Sequence, residues 1–185
     1  AAERLAVLEF FGRPGGGYCS AAGPAMRSLQ VDLAGRAVLL EYDYDRFDSG
    51  RQDRFWATGA SAQYLPLVMV GSGYRTSSGS VDYAGEYRQM LEDEMARPPR
   101  AAVSAWWRRS GITIRTYVAV RNAGSGELRA GEEATAWVVV YEEAAVGVSN
   151  TWVRDTTSAS LVADLSPGES TTLVVDVSAA SVTDW

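Results

Sequence analysis

The chain has 185 residues, a formal charge of −6 and 46% hydrophobic residues, enough to build one large domain or two small ones with packed cores. The acidic balance, without any basic run, excludes a nucleic-acid binder, which must neutralise phosphates, and gives no attraction to an anionic membrane surface. All 17 basic residues are Arg, with no Lys and no His, which removes Ser-His-Asp triads, P-loop lysines, Schiff bases and His-ligated zinc.

Cys19 is the single cysteine, so no internal disulfide and no thiolate cluster can form, and no cofactor or metal is implied. No apolar run is long enough for a transmembrane helix. The opening at Ala1-Ala2, leading straight into an apolar segment, suits a mature chain after signal-peptide cleavage, and hence an extracytoplasmic protein that is periplasmic, cell-surface or secreted.

The run from Leu5 to Phe11 predicts a short buried strand closed by the glycine-rich Gly12 to Gly17. Ala22, Met26, Leu29 and Leu33 recur at helical spacing and predict an amphipathic helix that stops near Gly35. Ala37 to Tyr42 reads as a second strand, and Ser49 to Thr58 as a helix-compatible segment. Leu65 to Val70 and Tyr74 to Thr76 read as two further strands. A last helix over Val81 to Ala96 carries Tyr83, Tyr87, Met90, Leu91 and Met95 on one face and is stopped by Arg97-Pro98-Pro99. The predicted order is βαβαββα.

After Pro99 the texture changes to short β-rich segments between turns, which divides the chain into residues 1–98 and 99–185 and gives the second part the spacing of a β-sandwich. Candidate strands are Ala102 to Arg108, Ile112 to Arg121, Ala134 to Glu142, Val148 to Arg154, Ser158 to Ala163 and Thr171 to Val177. Between Ile112 and Val120 most even positions are apolar, which predicts one packed and one wet face. Trp106, Trp107, Trp137 and Trp152 are expected in a core or between domains, since aromatics supply large buried area. With only six strands in view and an apolar aromatic at Trp185, an open sheet edge near the end of the chain would favour a protein partner or self-assembly.

Gly16, Cys19 and Pro24, set five residues beyond Phe11, three apart and five apart, together with the Tyr64-Leu65-Pro66 approach to a strand, resemble the thioredoxin superfamily. The resemblance implies an α/β thioredoxin-like domain with a degenerate C-x-x-C, in which Gly16 stands where the family has its nucleophilic cysteine and Cys19 is the remaining partner. It also implies a cis peptide before Pro66 and a substrate groove at Tyr64, Leu65 and Pro66. The second half resembles the immunoglobulin-like β-sandwich modules of bacterial surface and exported proteins, and the two-part architecture is similar to outer-membrane proteins of the Omp28 type.

Missing its nucleophile, such a domain is expected to be a non-enzymatic binding or structural module, with a place as a subunit of a larger cell-surface assembly. The alternative is a monothiol thiol-disulfide oxidoreductase or isomerase-like protein using Cys19. Asp43, Asp45, Asp48, Gly50 and Asp53 gather carboxylates without the spacing of a calcium loop, and Glu132, Glu133, Glu142 and Glu143 read as a solvated rim.

Overall fold

The computed structural model describes residues 4–46, 54–55, 64–79, 81–143, 147–178 and 180. They divide into two compact units. The first is Arg4–Arg97 with Tyr141–Val153, and the second is Pro98–Val140 with the chain from Arg154 onward.

In the first unit β1 (Ala6–Gly12) lies between β2 (Ala37–Asp43), which pairs with it in parallel, and β3 (Leu67–Val70), which pairs antiparallel. β4 (Arg75–Ser78) continues the sheet antiparallel to β3. Helix α1 (Gly17–Asp32) turns Ala22, Met26 and Leu29 to the core, as its spacing predicts. Helix α2 (Tyr83–Ala96) begins at Asp82, whose carboxylate accepts the Gly85 N–H and satisfies one of the open donors of its first turn. Its face of Tyr87, Met90 and Leu91 joins Leu8, Phe10, Met26, Leu29, Val68 and Val70 in one buried cluster, each large side chain contributing about 1.5–3 kcal/mol by leaving water.

In the second unit β5 (Ala101–Ser110), β6 (Thr113–Asn122) and β9 (Ser170–Ser178) form a three-stranded antiparallel sheet in the order β5-β6-β9. Val118, Val120, Leu173 and Val175 pack against Ala134, Ala136 and Val138 of β7 (Gly131–Glu142) and against Ala159 and Leu161 of β8 (Trp152–Leu161). The alternation expected along β6 holds, with Ile114, Thr116, Val118 and Val120 inside.

Two expectations are corrected. The described residues are mostly β, 47% strand with two named helices, and not the α/β thioredoxin-like βαβαββα domain followed by an immunoglobulin-like sandwich. The sheet of the first unit does not end at β2, because Glu41 pairs in parallel with Trp152 at the start of β8. Strand β8 also runs unbroken through Asp155, Thr156 and Thr157, where two strands were expected. Thr156 is buried and the Asp155 carboxylate accepts its N–H, so the polar residues fit inside the strand instead of ending it. Of the Ser49 to Thr58 segment only Arg54 and Phe55 lie among the described residues, and both are helical.

Candidate functional site

Two residues singled out in the sequence, Gly16 and Cys19, meet at the start of α1. Gly16 precedes the helix with extended backbone and leaves the N-terminus without a side-chain cap. The Ser20 N–H donates to the Gly16 carbonyl at 2.8 Å, and the Gly16 N–H donates to that of Arg13 at 3.0 Å. A Cβ at position 16 would stand 3.5 Å from the Cys19 Sγ and 3.1 Å from the Arg13 carbonyl oxygen, so residues 16 and 19 are neighbours in space. Pro24 lies inside α1 on its exposed side. Its ring nitrogen has no hydrogen to give to the turn before it.

Cys19 is 3% exposed. The Arg13 backbone N–H donates to its sulfur at 3.4 Å. Burial pushes the thiol above its ordinary value, and the negative charge of Glu41 adds to this. The Arg13 N–H and guanidinium oppose the rise without cancelling it. The nucleophile in thiol chemistry is the thiolate, so this environment suppresses reactivity where a helix N-terminus would otherwise favour it. With the thioredoxin-like reading withdrawn, the redox roles it lent to Gly16, Cys19 and Pro24 lose their support, and the geometry is that of a small buried apolar side chain.

The Leu65–Pro66 peptide is cis. Tyr64 is exposed, Leu65 packs against the cluster that includes Cys19, and Pro66 is buried. The Tyr64 and Pro66 carbonyls both accept the Gly79 N–H, at 3.1 and 2.9 Å. The turn is thereby tied to the end of β4, with Tyr64 as its outward-facing ring.

Sequence reasoning missed the buried carboxylates of the first unit. Glu9 of β1 accepts the Tyr42 hydroxyl at 2.8 Å and the Arg54 Nε at 2.8 Å, and an ion pair joins it to the same guanidinium. Glu41 of β2 accepts the Val148 N–H at 2.9 Å and the Ser149 N–H at 2.7 Å. Burial nevertheless holds its carboxyl above the ordinary carboxylate range, and the charge of Asp43 adds to this. Glu94 of α2 is clasped by Arg4 at 2.6 Å and Arg97 at 2.8 Å. A carboxylate inside an apolar run is the one signal that marked Glu9, and its partner Arg54 lies 45 residues away.

Asp45 pairs at the surface with Arg13 at 3.0 Å, and the buried Asp43 pairs with the exposed Arg46 at 3.6 Å. Asp48, Gly50 and Asp53 lie outside the described residues, as do the side chains of Glu132 and Glu133. Among the described residues no group of three His, Cys, Asp or Glu side chains gathers to hold a metal ion, and no helix is long and apolar enough to cross a membrane.

No family model matches the chain, and no curated protein matches it. Among solved structures the chain is similar to protein AGR_C_4864 from Agrobacterium tumefaciens, determined by X-ray crystallography within a structural genomics programme. The two share 18% identity with a TM-score of 0.53, over 97% of this chain and 81% of that one. At that identity the likeness is one of fold alone.

Proposed function

We propose that the protein is a non-enzymatic binding or structural module that works through protein–protein contact. The observation that carries this reading is the state of Cys19, the chain's single thiol, which is buried and held above its ordinary pKa. The buried glutamates of the first unit are committed to structure, Glu9, Glu41 and Glu94 each being hydrogen-bonded. Without His or Lys, acid–base chemistry in this chain falls to its carboxylates, tyrosines and single thiol.

Alkylation of the native protein against pH tests it. Iodoacetamide should modify Cys19 far more slowly than a free thiol at pH 7, and the rate should still be rising well above pH 8.5, the region of a free cysteine. An apparent pKa well below that value would overturn the proposal and favour a monothiol oxidoreductase or isomerase-like activity. The position of Cys19 in the first turn of α1 is the observation on that side.

A further inference from the structure

Strand β5 differs from every other strand described. From Val103 onward all its residues are exposed, on both faces, although it is hydrogen-bonded along its whole length to β6. Val103 is 63% exposed, Trp107 61% and Trp106 49%. Register assigns the faces: Val103, Ala105 and Trp107 stand opposite Val120, Val118 and Thr116, which point into the core. Trp106 stands opposite Tyr117, and their rings stack at 5.4 Å on the outer face. From Val103 to Trp107 the core-side face of β5 is thus apolar and, among the described residues, uncovered.

Among the described residues the other edge of β5 carries no neighbour, the order being β5-β6-β9. Natural edge strands are usually guarded by charge, proline, a bulge or shortness. Over Ala101 to Trp107 this one has no charged residue and no proline, and it runs for 10 residues. Its charges come together at one end, in Arg108 and Arg109.

That distribution selects the partner. We infer that β5 pairs antiparallel with β5 of a second copy of the chain, about a two-fold axis through Ala105, joining two three-stranded sheets into one of six. The inference rests on the binding-module reading and gives it a surface and a partner. A two-fold axis normal to the sheet keeps both core-side faces on the same side, so a residue can meet only one of matching parity. Centred on Ala105, Val103 meets the Trp107 of the other copy, which covers the two most exposed apolar side chains of the strand with each other. Arg108 and Arg109 then meet Ala102 and Ala101. The Arg108 residues of the two copies stand about 20 Å apart at roughly 3.4 Å per residue, well beyond a Debye length of about 8 Å at physiological salt. Parallel pairing would set Arg on Arg, and a centre at Trp106 would set Arg109 against Val103.

Light scattering after size exclusion, on the full chain across a concentration series, provides the test. The expected result is a dimer of twice 19.9 kDa that dissociates on dilution. Ala105 faces its own copy, so a charge there acts twice. Ala105→Arg and Ala105→Asp should each elute as monomer with an unchanged far-ultraviolet circular dichroism spectrum, and an equimolar mixture of the two should restore the dimer. A monomer at every concentration would overturn the inference and leave β5 to a foreign strand, while the binding-module reading would still stand or fall on Cys19 alkylation. Open polymers, or a dimer indifferent to both substitutions, would equally overturn it.

Discussion

The two units solve the same problem, a strand-rich core, with different polar chemistry. The first buries charge, in Glu9, Glu41, Asp43, Arg54 and Glu94. The buried polar side chains described in the second are uncharged, namely Thr116, Asn122 and Thr156, and its ion pair between Arg115 and Asp176 is exposed. An internal charge is tolerable only when fully partnered, because the desolvation it suffers can exceed the attraction it gains. The first unit is therefore intolerant of losing any single partner. The second should respond to substitution through hydrogen bonds and area, with no dependence on pH across the neutral range.

The largest effect tests the first half of that contrast. Glu9→Ala leaves the Arg54 guanidinium buried without its carboxylate and removes the acceptor of the Tyr42 hydroxyl. Loss of one member of such a pair costs about 3–5 kcal/mol, read as a lower urea midpoint of the full chain. Replacing both residues by apolar ones, Glu9→Leu with Arg54→Met, should cost less than Glu9→Ala alone, because no charge is then stranded. A double variant as damaged as the sum of its single changes would mean that the pair stabilises by direct attraction.

Asn122→Ala probes the second unit. The Asn122 amide donates to the Gly126 and Leu165 carbonyls at 2.8 Å each, and its oxygen accepts the Gly124 N–H at 2.9 Å. Three bonds hold two turns to the end of β6 through one buried side chain. Their removal should cost about 2 kcal/mol, the toll of several neutral hydrogen bonds with buried groups left open. The loss should be the same across the neutral pH range, since none of these groups titrates there. A pH-dependent loss would break the contrast between the units.

Why part of this was legible in the sequence, and part not, follows from range. The inward faces of α1 and β6 are set by spacings of three, four and two residues, and Ala22, Met26, Leu29, Val118 and Val120 are buried as those periods require. Strand β5 could not be read that way. Adjacent residues in a strand point to opposite faces, so Trp106 and Trp107 cannot both enter one core, and on an uncovered edge strand neither does. The expectation that they pack in a core or between domains weighed their area and ignored their adjacency. The thioredoxin-like reading rested on offsets among Gly16, Cys19, Pro24 and Pro66, and those offsets are silent about the continuation of the sheet from Glu41 to Trp152. That continuation depends on residues more than 100 positions apart, joined by a carboxylate and two backbone N–H groups. Nothing periodic marks it.

The smallest effect is a slope, and it sharpens the same contrast. Burial raises the folded-state pKa of Glu41 above the ordinary carboxylate value of 4.5, against the pull of the Val148 and Ser149 N–H groups. Between that ordinary value and the raised one, the folded chain holds a proton that the unfolded chain has released. Stability is therefore greatest below the ordinary value and declines as pH rises through the folded one. The chain has no His, so no imidazole titration overlies the decline that a raised carboxyl produces. Urea midpoints measured from acid to neutral pH should fall for the native chain and flatten for Glu41→Gln, which cannot ionise, while Asn122→Ala should keep the native slope from a lower start. A Glu41→Gln curve parallel to the native one would mean that the Val148 and Ser149 N–H groups outweigh burial, and that the first unit carries its internal carboxylate without a dependence on pH.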